Sequence, residues 1–363
     1  MFISLFREYY VKIVVEGNPD IHFRIIRNVL YLLSKIYGFV VKTRIFFYKE
    51  GIFKSIRLPI PVISVGNITT GGTGKTPIVE YISRYLQERN RRVVILSRGY
   101  AANLRQEHNF PANKACNDEY LLLKENIPDI PNLLSKDRVK SGLEAIRRFK
   151  AEYVVLDDGF QHLRLTRDLN IVIIDTLNPF GYEHMVPRGM LREPLKELRR
   201  ADMIILTHAD QCAPDKIGFI VDRLHEFAGY IPVIETIHKP TYLESVKDGK
   251  LLDINYLKGK RVFGFCAIGN PLSFRKSIEG LGAELLGLRI FPDHHHYTSS
   301  ELIALNKEMG GIQPDAIIIT QKDKVKIRDN SDIWDFPLWT LKMEICIVKD
   351  YEIFENKINA ILN

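Results

Sequence analysis

The sequence predicts an α/β fold, a mostly parallel sheet with helices on both of its faces. Three observations carry this reading. Short β-branched runs recur after residue 60, at "PVISVG" (61–66), "RVVILS" (92–97), "EYVVLD" (152–157), "NIVIID" (170–175), "DMIILT" (202–207) and "IPVIET" (231–236). Several are unbroken apolar runs, as expected of strands buried on both faces rather than on one. Helical stretches at 75–89, 137–149 and 214–228 lie between some of them, and strand–helix alternation of this kind builds parallel sheets.

The elements divide the chain. Its 363 residues suit about two domains. Residues 1–57 form a basic, helical first segment, 58–240 the alternating core, and 241–260 a hairpin linker marked by turn signals at Asp248-Gly249 and Lys258-Gly259. A second, smaller α/β domain occupies 261–363, beginning at "RVFGFCAIGNP" and including "DAIIIT". The hydrophobic content of 46% is that of a globular chain with a real core. The net charge of +7 fits a nucleic acid, an anionic membrane or a phosphorylated substrate. The four scattered cysteines form no CxxC pair, which argues for a reducing compartment and against structural zinc.

The first segment has neither a signal-peptide pattern nor an apolar stretch of spanning length. From His22 to Arg57 it carries eight Lys/Arg against one acid, Glu50. Ile26, Val29, Leu30, Leu33, Tyr37 and Val40 recur at helical spacing, with Arg24, Arg27, Lys35 and Lys42 off that stripe. Two readings stay open: an amphipathic helix in a membrane interface, or a helix packed on the protein's own core with a solvated basic face.

Between the first strand and the first helix of the core lies "VISVGNITTGGTGKTPIVEY" (62–81). Gly74, Lys75 and Thr76 supply the end of the phosphate-loop pattern G-x-x-x-x-G-K-[ST]. Thr69 stands where its first glycine belongs, and Gly71 and Gly72 fall late in the loop. The strand–loop–helix context is the one the motif needs. A glycine-rich turn lets backbone N–H groups converge on phosphate oxygens, and a helix N-terminus adds positive potential. Thr70, Gly71, Gly72, Thr73, Gly74, Lys75 and Thr76 are therefore the candidate nucleotide-binding residues, in a P-loop NTPase-like sheet. Lys75 is expected on the β/γ-phosphates and Thr76 on Mg²⁺. The loop differs from "KGGxGKT" ATPases, which need a lysine at Thr70.

A magnesium site needs an acid at a neighbouring strand end. "VVLDDGFQH" (154–162) runs straight into Asp157 and Asp158, the second half of the expected metal site, followed by Gln161 and His162. In "NDEY" (117–120), Asp118 and Glu119 read by themselves as acids in the first turn of a helix. "FPDHHHYT" (291–298) holds three consecutive histidines. Their side chains diverge, so a base or orienting role for one is preferred to a zinc site. "MVPRGMLREP" (185–194), with two arginines, suits an anionic substrate.

Taken together and in order, "RLPIPVISVGNITTGGTGKTP", "LSRGY", "NDEYLLL", "LDDGFQHLRLTRDLNIVIID", "VPRGMLREPLKELRRAD", "AIGNPLSF", "FPDHHHYT" and "ITQKDKVK" resemble the tetraacyldisaccharide 4′-kinase family, the lipid A kinases of Gram-negative bacteria. The resemblance spans roughly residues 22–330. It implies an ATP- and Mg²⁺-dependent, membrane-associated P-loop kinase that phosphorylates the 4′-hydroxyl of a lipid A disaccharide precursor. It implies a peripheral location on the cytoplasmic face of the bacterial inner membrane, an anionic membrane surface as partner, and no nucleic-acid or protein partner. It assigns the catalytic base to Asp118, assisted by His294, although Asn117 and Tyr120 depart from the family's flanking glycine and proline. Arg138, Gln161 and His162 are expected near the sugar-phosphate head, with Glu193 as a further substrate-binding residue. The alternative class is a membrane-associated P-loop ATPase or GTPase switch.

Overall fold

The computed structural model of the chain describes residues 21–99 and 118–362. Asn117 and the first 20 residues, included in the expectations above, lie outside the described residues. The rest forms two compact units, one of residues up to Ile237 together with those from Ile347 on, the other His238–Cys346.

The first unit is a parallel sheet. Its strands are β1 (Val62–Asn67), β2 (Val93–Ser97), β3 (Asn132–Leu134), β4 (Tyr153–Asp157), β5 (Leu169–Asp175), β6 (Met203–Thr207) and the first part of β7 (Val233–Ser245). Their order is β3-β2-β4-β1-β5-β6-β7, every neighbouring pair parallel. Every residue of β1, β2, β4 and β6 is buried, which is why these segments read as unbroken apolar runs. Helices Lys75–Gln87, Asp118–Asn126, Arg138–Phe149 and Pro214–Ala228 connect them. Val139 and Ala145 pack with Val94, Leu96, Val154 and Leu156, and Ile217, Ile220 and Leu224 with Val172, Ile204 and Leu206. Because the strands are parallel, their carboxyl ends meet at one edge, where ligands of such sheets bind.

Helix Ile21–Lys49 lies on this unit with an unusual division of faces. Ser34 and Gly38 are buried, while Ile25, Val29, Leu32, Leu33, Ile36, Phe39 and Val40 are exposed. Small residues make the packed stripe because the backbone comes close: a Cβ on Gly38 would sit 3.1 Å from the Met185 sulfur. Tyr37 donates from its hydroxyl to the Arg192 carbonyl at 3.1 Å, and Arg44 donates to the Gln161 carbonyl at 3.0 Å. Among the described residues no helix is long and apolar enough to cross a membrane.

The second unit has β8 (Leu251–Asp253) antiparallel to the end of β7, with Tyr242 opposite Asp253. Gly249 turns that hairpin at φ +71°. Strands β9 (Arg261–Cys266), β10 (Glu284–Ile290), β11 (Ala316–Thr320) and β12 (Leu338–Lys349) follow, in the parallel order β10-β9-β11-β12. Helix Ser299–Ile312 packs Leu302, Leu305 and Met309 with Phe263, Phe265, Ile317 and Ile319.

One boundary needs correction. The sequence assigns 261–363 to the second domain, but residues from Ile347 on belong to the first unit. The reason is apolar: helix Tyr351–Asn359 buries Phe354 completely, against the rings of Tyr81 and Tyr85.

Candidate active site

The loop after β1 explains its own irregular motif. Gly71 (φ +104°) and Gly74 (φ +82°) adopt left-handed backbone that glycine tolerates, and Gly74 caps helix Lys75–Gln87. Thr69 needs no such freedom, because it forms an antiparallel bridge with Leu191 and is buried. The glycines have therefore moved to where the turn is. Asn67 braces the loop from inside, its amide donating to the Thr69 carbonyl (2.8 Å) and the Thr73 hydroxyl (3.0 Å). From β6, the Thr207 hydroxyl donates to the Thr73 carbonyl at 3.0 Å. At Thr70 the N–H and the hydroxyl both donate to the Met190 carbonyl.

The two acids at the end of β4 differ sharply. Asp157 is buried and sits beside Val65 of β1 in register. The Ser97 hydroxyl donates to its Oδ2 at 3.2 Å, whereas its buried Oδ1 has no hydrogen-bond partner among the described residues. Burial, reinforced by the Glu119 carboxylate, pushes its pKa up to about 7. Asp158, at φ +51°, is gripped by both guanidinium arms of Arg192, at 2.7 and 3.0 Å, with Lys75 Nζ 3.9 Å away. Burial would raise it, but the Arg192 fork and Lys75 outweigh that and hold it at about 2. Of the two acids expected at the metal, Asp157 has one oxygen without a hydrogen-bond partner among the described residues, and Asp158 is ion-paired to Arg192.

Arg138, at the start of its helix, is buried and donates to the Asp157 carbonyl at 3.0 Å. Gln161 donates to the Asn67 carbonyl at 2.9 Å. Burial, together with Arg138, Arg44, Arg167 and Arg164, pushes the His162 pKa down to about 4, so this imidazole is neutral at pH 7. Arg138 Nε, Gln161 Oε1 and His162 Nε2 are all buried without a hydrogen-bond partner among the described residues. Glu193, expected at the substrate, is a buried acid whose Oε1 has no hydrogen-bond partner among the described residues. It is 1% exposed and ion-paired to Arg200, whose guanidinium lies 4.2 Å from the Phe160 ring centroid.

Asp118 is buried and opens helix Asp118–Asn126, accepting the Glu119 N–H at 3.1 Å. The next residue, Glu119, is the carboxylate that reinforces the raised pKa of Asp157. In the second unit the three histidines separate. The His295 ring stacks on Phe291 (4.9 Å between centroids), meets Tyr297 edge-on (5.3 Å) and lies 3.2 Å from Glu301 through Nε2. That histidine is part of the packing. His294, at φ +61°, is exposed, with its N–H on Asp293 Oδ1 at 3.1 Å.

Residues 26–363 match the model of the tetraacyldisaccharide-1-P 4′-kinase family. The chain belongs to that family. It is 39% identical to the tetraacyldisaccharide 4′-kinase of Syntrophus aciditrophicus, over 82% of this chain and 83% of that protein. With the tetraacyldisaccharide 4′-kinase of Halothermothrix orenii it shares 34% identity over 93% and 94% of the two chains. Among solved structures it resembles LpxK of Aquifex aeolicus, determined with ATP, at a TM-score of 0.67 and 28% identity over 93% of this chain and 100% of that one.

For a 4′-kinase, the sequence reading missed several residues that build the site. Asn67, Ser97 and Thr207 are strand-end side chains with no motif of their own. Arg192 was visible only as one of two arginines in a loop suited to anions. Its actual partners, Asp158 and Asn67 (Oδ1 at 3.1 Å), are protein groups.

Proposed function

We propose that this kinase transfers the γ-phosphate of ATP to the 4′-hydroxyl of a tetraacylated glucosamine disaccharide 1-phosphate, with Asp118 as base and His294 assisting it. The single observation that supports the chemistry best is the braced loop 71–76 beside a buried acid with one unpartnered oxygen. In the reaction the 4′-oxygen bonds to the γ-phosphorus, the bond to the β-phosphate bridging oxygen breaks, the hydroxyl proton goes to Asp118 and ADP leaves. Lys75 and the loop amides would offset charge on the transferring group, the main source of acceleration in phosphoryl transfer.

Mg²⁺ fits the residues present. Asp157 Oδ1 has no hydrogen-bond partner among the described residues, and Thr76 is buried at the first turn of the helix. These two would hold the ion, which supplies charge neutralisation on the phosphate oxygens when bound. For the acceptor, Arg138 Nε, Gln161 Oε1 and His162 Nε2 are unsatisfied buried atoms in one stretch of the site. Orphaned polar atoms of this sort favour a polar ligand, and a sugar-phosphate head would satisfy them. The apolar face of helix Ile21–Lys49, flanked by Arg24, Lys35 and Lys42, suits an anionic bilayer surface, and the cytoplasmic face of the inner membrane supplies one.

Asp118→Ala tests the base. The kcat should fall by about 10²–10⁴, the range of general-base catalysis, with a much smaller change in the KM for ATP. Near-normal kcat in that variant contradicts the assignment.

A further inference from the structure

The segment "ITQKDKVK" carries no role in the account so far, yet it contains a fully buried acid. Asp323 is 0% exposed. It lies on helix Gln321–Ile327, directly after β11. Its Oδ1 accepts the Ala267 N–H at 3.0 Å and the Tyr297 hydroxyl at 2.9 Å, and its Oδ2 accepts the Thr320 hydroxyl at 2.6 Å. Lys326 Nζ lies 3.8 Å from Oδ1 and donates to the Ala267 carbonyl at 3.2 Å. One carboxylate therefore ties together the end of β9, the end of β11 and the loop carrying the histidines.

That loop is fixed at both ends and presents one residue between. At its start the Phe291 N–H donates to the Cys266 carbonyl at 2.8 Å. At its end the Tyr297 ring packs edge-on against Phe265 (5.6 Å) and Phe291 (5.1 Å), while its hydroxyl reaches Asp323. The His295 ring is clamped between Phe291, Tyr297 and Glu301. His294 lies between these anchors in left-handed backbone, a conformation costly for a residue with a side chain unless its surroundings hold it.

We infer that Asp323 and Tyr297 are positioning residues of the kinase, which act on turnover by holding the Phe291–Tyr297 loop so that His294 keeps its left-handed, exposed placement. The inference rests on the reading of His294 as the histidine that assists the base. Neither residue touches the reacting atoms in this scheme. A buried carboxylate with three donors is a rigid anchor, because each bond lost leaves a charged group unsatisfied. A hydroxyl on the adjacent ring transmits that rigidity to the loop.

The test uses the full-length enzyme with ATP, Mg²⁺ and the disaccharide acceptor. Tyr297→Phe keeps the ring packing and removes only the hydroxyl. It should lower kcat about tenfold, as expected for losing a hydrogen bond to a charged group, and leave the KM for ATP unchanged. In a His294→Ala background, Tyr297→Phe should add almost nothing, because residues acting through one group are not additive. Asp323→Asn is the second variant and should follow the same pattern. Normal kcat for Tyr297→Phe with only a lowered melting temperature would overturn the inference, as would losses that multiply fully in the double variant. If His294→Ala itself leaves kcat intact, the reading of His294 fails and the inference falls with it. A large His294→Ala effect beside a silent Tyr297→Phe sinks the inference alone.

Discussion

Asp157 is a buried acid with a second acid, Glu119, acting on it, and its titration follows from that. Burial raises its folded-state pKa from 3.8 to about 7. Between those values the folded protein keeps a proton that the unfolded chain releases, so this group's contribution is favourable at low pH and is lost as pH rises through about 7. Asp157→Asn removes the dependence. Without Mg²⁺, the melting temperature of Asp157→Asn minus that of wild type should increase as pH rises from about 5 to about 8. Saturating Mg²⁺ with nucleotide should stabilise wild type more than the variant at the upper end of that range. A difference that is flat with pH contradicts the buried-acid account. Lys75→Ala should reduce kcat by at least about 10²-fold, since the lysine is the one side chain of the loop that can carry charge to the phosphates; steady-state kinetics with acceptor lipid check this. Lys75, Thr76 and the left-handed glycines were legible because their geometry is local: a strand, a turn and a helix within 20 residues. The Asp158–Arg192 pair was not legible, because it joins residues 34 apart in sequence. Without that arginine in view, two adjacent acids look alike, although one is held at about 2 and the other near 7.

At the scale of elements, the first helix is where sequence and structure answer different questions. Periodicity identifies an amphipathic helix, but it cannot tell which face meets the protein. Leu30 and Tyr37, part of the expected stripe, are partly buried, while Val29, Leu33 and Val40 from the same stripe are exposed. The packed line runs through Ser34 and Gly38 instead, residues that hydrophobicity does not weigh. Sheet strands were easier to read, since strands buried on both faces leave short apolar runs, here rich in β-branched residues and bounded by turn signals. The exposed face predicts a two-part membrane interaction. Substituting Arg24, Lys35 and Lys42 with Gln should weaken co-sedimentation with anionic vesicles by roughly 1 kcal/mol per charge near the surface, an effect that salt mimics. Leu32→Ser and Phe39→Ser should weaken the salt-resistant remainder without lowering the melting temperature, because both side chains are exposed, at 63% and 71%. Loss of thermal stability in these variants would mean that the face packs on protein.

On the scale of the whole molecule, the chain is a sheet-based kinase unit closed by its own C-terminal helix, and a smaller parallel-sheet unit that carries the histidine loop. The first break between the units falls at Ile237/His238, just before the turn signals of 240–260, and the return of the last residues carries no such signal. Phe354 looks like any apolar residue of a terminal helix until its burial against Tyr81 and Tyr85 is seen. The central claim is that this assembly delivers phosphate to a lipid hydroxyl and not to water. The most direct measurement is mass spectrometry, with fragmentation of the product, after incubating the full-length protein with ATP, Mg²⁺ and tetraacylated disaccharide 1-phosphate. The account predicts one added phosphate, on the 4′-position of the distal sugar, and its absence with Asp118→Ala. ATP consumed with the acceptor recovered unchanged, at a rate raised by a protein partner rather than by lipid, would contradict it.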